Sequence, residues 1–336
     1  MKYSILHISD LHRIADEDID CIISSFQLEK EKYKSMNIPP VKLIVVSGDI
    51  INGSKNENAD VAKEEISKQY EVARKFLVAL TKVFLGTDIK DRLRVVIVPG
   101  NHDISRYISR KSMEPIENEN IDKLVTALWS DNSIIRWSWK NLQFFNITNK
   151  EMYNQRFDDF IEFYNSFYQG YRSFPADTEA QSELIDFPEL NIAIACFNSC
   201  YQLDHLRMSG YINPRSLSKL TKPLIGVKND GRLITAVWHH HTQGLPNENN
   251  YLDYTILDNM TQNGIQIAFH GHQHVSGILQ ERKDIFSDAK LTMISAGSLY
   301  GNSADIPFGL TRQYNIIAVD MQNDSCKLTL HSREDC

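Results

Sequence analysis

The chain has 336 residues, with 43 acidic against 36 basic side chains and a formal charge of −7, a balance that gives no general affinity for polyphosphates. Hydrophobic residues at 42% and charged residues at 24% exclude a disordered or fibrous protein. No apolar run reaches the length of a membrane span, the N-terminal stretch is broken by His7 and Asp10 and lacks the form of a secretion signal, and the five scattered cysteines (Cys21, Cys196, Cys200, Cys326, Cys336) contain no Cys-x-x-Cys pair, so a soluble, cytoplasmic protein is expected.

Apolar runs at Tyr3 to Ile8, Val41 to Val46 and Arg94 to Val98 predict buried strands, and their continuous rather than alternating hydrophobicity predicts a sheet covered on both faces. Between the second and third, Ile66, Tyr70, Ala73, Leu77, Leu80 and Phe84 recur at helical spacing, which predicts a covering helix over Val61 to Leu85. Residues 104–190 differ in character. Aromatic side chains are dense there, and Phe157, Phe160, Phe163, Tyr164, Phe167 and Tyr168 fall on one helical face, a pattern that serves packing more often than recognition. We read this stretch as a helical, aromatic-rich insertion, a cap, within a single domain spanning 1–336. Further strands are predicted at Ile192 to Phe197, Leu233 to Trp238, Ile265 to Phe269, Leu291 to Ile294, Tyr314 to Val319 and Cys326 to Leu330, with a helix at Arg215 to Leu220.

Five short motifs follow predicted strands: Asp10-Leu11-His12, Gly48-Asp49, Gly100-Asn101-His102-Asp103, His239-His240-His241 and Gly271-His272-Gln273-His274. Loops at strand ends are where α/β sheets place ligands. Two aspartates, an asparagine oxygen and several imidazoles form a mixed oxygen and nitrogen set suited to Mn, Fe, Zn or Ni rather than calcium, and the lack of thiolates argues against a structural zinc. Seven candidate ligands exceed one four-ligand shell, so two ions sharing a carboxylate are expected, the arrangement typical of phosphoester hydrolysis.

In order and spacing these motifs resemble the calcineurin-like metallophosphoesterase superfamily, over roughly residues 1 to 103 and 190 to 320. The resemblance implies an α/β fold, a two-sheet β-sandwich flanked by helices (αββα). It further implies that Asp10, His12 and His274 hold one divalent metal ion, that Asn101, His239 and His272 hold the second, and that Asp49 bridges them. Manganese is the first expectation, with Fe, Zn or Ni as alternatives. A metal-bridging hydroxide would attack phosphorus, with His102 as general acid and Asp103 orienting it. Register favours His239 over His240 as ligand, leaving His241 and His270 in supporting roles. Arg13 and Arg106, beside the first and third motifs, are candidates for reaching a substrate phosphate.

The function expected is hydrolysis of a phosphodiester or phosphomonoester, with a small nucleotide-like substrate ahead of DNA. Residues 104–190 carry nine Lys and Arg against fourteen Asp and Glu, which disfavours a long nucleic-acid groove. A nuclease taking a short strand end, a catalytic effector domain of a larger assembly, and a non-catalytic interaction module binding a protein partner through residues 104–190 are the alternatives. No membrane partner is expected.

Overall fold

The computed structural model describes residues 1–16, 18–117, 119–130, 132–244, 249–253, 255–283, 290–299, 311–322 and 325–335; Cys336 lies outside them. The first apolar runs form three parallel strands, β1 (Lys2–Ile8), β2 (Val41–Val46) and β3 (Val95–Ile97). Helices α1 (Ile19–Lys32) and α2 (Ala59–Phe84) make the returns. Asn58 starts α2 by accepting the backbone N–H groups of Asp60 and Val61 at 3.0 and 3.3 Å, a side-chain cap for otherwise unpaired donors. The predicted stripe from Ile66 to Phe84 is its buried face.

Residues 104–190 contain the expected helices, α3 (Arg106–Lys111), α4 (Ile121–Leu128), α5 (Lys150–Asn154) and α6 (Asp158–Tyr168). They also contain strands β4 (Met113–Pro115), β5 (Ile135–Ser138) and β6 (Gln143–Ile147), which form an antiparallel sheet in the order β4-β6-β5. The insertion is therefore mixed rather than purely helical. Trp137 and Phe144 face each other across β5 and β6 with ring centroids 4.7 Å apart, a cross-strand pair that stabilises the hairpin. The aromatic stripe of α6 is a packing face as predicted: Phe163 stacks on Tyr70 of α2 at 4.9 Å, and Tyr168 donates its hydroxyl to the Val95 carbonyl at 2.7 Å.

The rest of the chain supplies β7 (Ser182–Phe187), β8 (Ile192–Phe197), α7 (Pro214–Asn229), β9 (Leu233–Val237), α8 (Thr255–Gln262), β10 (Ile267–His270), β11 (Gly277–Lys283), β12 (Lys290–Ser295), β13 (Arg312–Met321) and β14 (Cys326–Asp335). One sheet runs β14-β13-β1-β2-β3 and the other β11-β12-β10-β9-β8-β7. β7, at the end of the expected insertion, pairs antiparallel with β8 and so belongs to the second sheet.

The two sheets pack face to face. Ile5, Leu43, Val45 and Val96 of the first share one core with Ile194, Val237, Ile267 and Phe269 of the second. The alternate residues Leu6, Ile44 and Ile97 point outward under α1, α2 and α6, while Ala195, Ala236 and Ala268 lie under α7 and α8. Helix, sheet, sheet and helix thus form four layers, each buried large aliphatic side chain contributing about 1.5–3 kcal/mol. Among the described residues no helix is long and apolar enough to cross a membrane.

Candidate metal centre

All seven predicted ligand residues come together where parallel strands of both sheets end. Asp10 and His12 follow β1, Asp49 follows β2, Asn101 and His102 follow β3, His239 follows β9, and His272 and His274 follow β10. They fall into two groups that share Asp49. In the first, His12 Nε2 lies 3.2 Å from His274 Nε2 and 3.8 Å from Asp10 Oδ1, and His274 Nε2 lies 3.3 Å from Asp10 Oδ1. In the second, Asn101 Oδ1 stands 2.9 Å from His239 Nε2 and 2.8 Å from His272 Nδ1. Asp49 Oδ2 is 3.3 Å from His239 Nε2 and 3.9 Å from His12 Nε2.

These residues fit divalent cations. Two donors each about 2.1 Å from one ion, at angles between octahedral and tetrahedral, are separated by about 3.0–3.4 Å, close to the spacings found. Direct hydrogen bonding accounts for the cluster poorly: Asp10 Oδ1, which faces it, is buried without a hydrogen-bond partner, a costly state for a polar atom. Electrostatics agree. Burial opposes ionisation of Asp49, yet His239, His102 and His12 hold its carboxyl well below the usual range. Burial likewise opposes charge on His239, but Asp49 and then Asp10 raise it to about 9. A pocket that draws a proton this strongly favours any cation.

The tautomer of His239 is set from behind. Its Nδ1 lies 2.8 Å from the Ser47 carbonyl, which only accepts, so Nδ1 carries the proton and Nε2 faces the cluster. His240 turns away: Ser199 Oγ is 2.8 Å from its Nδ1 and also accepts the backbone N–H groups of His239 and His240. The geometry therefore brings His239, not His240, to the centre. His241 lies 2.9 Å from the Gln243 carbonyl and His270 3.3 Å from the Gly271 carbonyl, both outside it.

His102 sits half-buried at the edge, its ring centroid 4.8 Å from that of His12. Its Nδ1 donates to the Asn52 carbonyl at 2.8 Å. Asp103 does not play the orienting part expected of it. Its carboxylate accepts the backbone N–H groups of Gly100 (2.8 Å), Ile50 (3.1 Å) and Ile51 (3.4 Å) and the Tyr70 hydroxyl (3.3 Å). Burial, then the charge of Asp49, pushes it up to about 7. Asp103 ties the β2 and β3 loops together, because the turn after Asn101 sends successive side chains in different directions. Arg13 is likewise not at the centre; it is buried against Phe76 and held by Asp18 and the Ala15 carbonyl.

Sequence reasoning missed the support that α2 gives. Gln69 of α2 accepts N–H groups from Asn52 and Gly53 at 3.0 Å each and donates to the Gly53 carbonyl at 3.1 Å, fixing the loop that carries Asn52. Its signal was a lone amide beside Ile66 and Tyr70 on an otherwise apolar helix face. Ser298 donates to the Asp10 carbonyl at 3.0 Å.

The backbone is also specialised. Asp10 (φ 52°), His12 (39°), Asp49 (51°), His272 (78°) and His274 (57°) all adopt left-handed conformations, which cost an L-residue about 1–2 kcal/mol each. Gly100 is required for another reason: a Cβ there would collide with the backbone nitrogen and carboxylate of Asp49. Gly100→Ala is expected to lower stability by about 1–3 kcal/mol through this overlap and to weaken metal binding. Thermal unfolding with and without added Mn would check it, and an unchanged midpoint in both would contradict the packing described.

A profile of the calcineurin-like phosphoesterases matches residues 3–276, and the chain belongs to that family, whose members generally bind two divalent metal ions. Its fold is similar to that of a dimetal phosphatase from Danio rerio, at 11% identity and a TM-score of 0.50 over 99% of this chain and 98% of that one. A calcineurin-like phosphoesterase from Bacillus subtilis aligns over 99% of this chain and 90% of its own at 12% identity, with a TM-score of 0.36. A DNA polymerase II small subunit from Methanothermobacter thermautotrophicus is 28% identical over 126 residues, 35% of this chain. That match spans about a quarter, 24%, of the archaeal protein.

Proposed function

We propose that this chain is a metal-dependent phosphoesterase that hydrolyses a phosphodiester or phosphomonoester of nucleotide-like character. The observation that carries the reading is the pair of donor groups sharing the buried Asp49 carboxylate. Asp10, His12 and His274 would hold one divalent ion, Asn101, His239 and His272 the other, and Asp49 both; manganese is the ion we favour. When bound, such ions acidify water and neutralise phosphoryl charge. The protein's own contribution is positional. His102 commits Nδ1 to Asn52, so proton exchange with the departing ester oxygen runs through Nε2. The part of residues 104–190 that precedes α6 is our candidate for a cap over this site, and the four described cysteines, all free, suit the cytoplasm.

His102→Ala should lower kcat by about 10²–10⁴-fold while metal content stays at the wild-type value. The assay pairs bis-p-nitrophenyl phosphate, p-nitrophenyl phosphate, cyclic nucleotides and linear DNA with each of Mn, Fe, Zn and Ni. A wild type that binds metal and cleaves none of them would sink the enzymatic reading and favour an interaction module. The likeness to a DNA polymerase small subunit supports a second reading, in which the ester belongs to a nucleic acid and the chain acts within a larger assembly.

A further inference from the structure

Helix α3 begins three residues past Asp103 and carries Arg106, Arg110 and Lys111 among six residues, a local concentration of positive charge in a chain of net charge −7. Arg106 and Arg110 share a face at i and i+4, where like charges repel. A third nitrogenous group is fastened beside them: His205 places Nδ1 3.1 Å from Ser109 Oγ and donates its backbone N–H to the same oxygen at 3.3 Å. Burial lowers the His205 pKa, Asp204 opposes this, and Arg110 and Arg106 depress it further, so these groups lie within electrostatic reach of one another.

Arg106 is half-buried, and among the described residues its guanidinium meets no carboxylate at ion-pair distance. Burial works against its charge, and the favourable field it does feel comes from Asp49, the carboxylate shared by both donor groups. Its helix starts three residues past Asp103, whose carboxylate binds the loops that carry Asp49 and Asn101, and this sets Arg106 beside the centre. Among the described residues the carboxylate that Arg110 meets is Glu57, in an exposed contact at 3.5 Å, the kind of surface pair that restrains little. A half-buried guanidinium without a carboxylate is available to an external anion, and its fork matches phosphate oxygens. The scissile phosphate alone does not account for the set, because Arg106 and Arg110 lie about 6 Å apart along the helix axis.

We propose that Arg106, Arg110 and His205 form a subsite for the phosphate next to the scissile one, so that the substrate is the end of a nucleic-acid strand bearing at least two phosphates. This rests on the phosphoesterase reading and narrows it. The acidic surplus elsewhere in residues 104–190 confines the contact to the strand end.

The experiment compares wild type, Arg106→Ala, Arg106→Lys and Arg110→Ala on bis-p-nitrophenyl phosphate and on DNA and RNA tetranucleotides, with metal content measured for each protein. The expected result is a rise in KM on a tetranucleotide that exceeds any change on bis-p-nitrophenyl phosphate by tenfold or more. Partial rescue in Arg106→Lys and a salt dependence shallower by about one phosphate contact should accompany it. A loss in either the DNA or the RNA arm supports the subsite and identifies the strand. Equal losses on both kinds of substrate, or a wild type that cleaves bis-p-nitrophenyl phosphate but neither strand, would overturn it and leave the phosphoesterase reading standing. Fluorescence anisotropy of a labelled tetranucleotide on the metal-loaded proteins reads the subsite independently of cleavage. There, equal affinity of wild type and Arg106→Ala would overturn the assignment even in a chain that hydrolyses nothing.

Discussion

Asp49→Asn is expected to reduce hydrolysis by a factor on the order of 10³ or more and to bring bound metal below one equivalent. The substitution keeps the shape of the side chain and leaves an oxygen to accept the His102 backbone N–H, now 2.8 Å from Oδ1. It removes the charge that both donor groups share, the charge that raises His239. Because the fold around the site is held by other bonds, from Ser47, Ser199, Asp103 and Gln69, the variant should remain folded and the loss should be specific. Activity within tenfold of wild type at full metal occupancy would show that the carboxylate is not shared in the working protein.

The largest effect on stability is expected from Asp204→Ala, about 3–5 kcal/mol. Asp204 is fully buried and makes four bonds. It accepts Arg136 Nε at 2.6 Å and the Tyr153 hydroxyl at 2.9 Å from residues 104–190, and the backbone N–H groups of Leu206 and Arg207 at 2.8 and 3.0 Å from its own loop. Its removal strands the buried Arg136 guanidinium with carbonyl and hydroxyl oxygens as its remaining partners. Chemical denaturation would measure the loss, and the hairpin of β5 and β6 should be the first segment to gain hydrogen exchange. A change under 1 kcal/mol would mean that the insertion is fastened elsewhere. Since the same loop positions His205, the variant also separates anchoring of the insertion from chemistry at the metals.

The gathering of the candidate ligands was legible because its chemistry is local in sequence. A glycine or a strand end opens each motif, and Asp, Asn and His in that setting have few other uses. The stripe from Ile66 to Phe84 was equally plain, since a helix of that length repeats its period several times. What sequence could not show was direction. Asp103 adjoins His102 in the chain, yet its carboxylate points into the β2 loop, and the group that fixes His102 is a main-chain carbonyl that any residue at position 52 would offer. The three-stranded sheet escaped notice because β4, β5 and β6 have only three to five residues each, too few to establish alternation amid dense aromatics. Arg13 shows the same limit, for nothing in its neighbours announces that Asp18 folds back to bury it.

The left-handed residues at Asp10, His12, Asp49, His272 and His274 bear on how this chain can change. At each of them glycine would relax the backbone, so the substitutions most apt to make the metal-free protein hardier are the ones that empty the centre. Selection for heat tolerance alone, in a laboratory or over generations, would drift toward a durable and inactive scaffold. Improvement without that loss has to come from positions remote from the strand ends, such as exposed Trp129, or Leu142, itself left-handed at φ 51°, where glycine would relax the backbone far from the ligands.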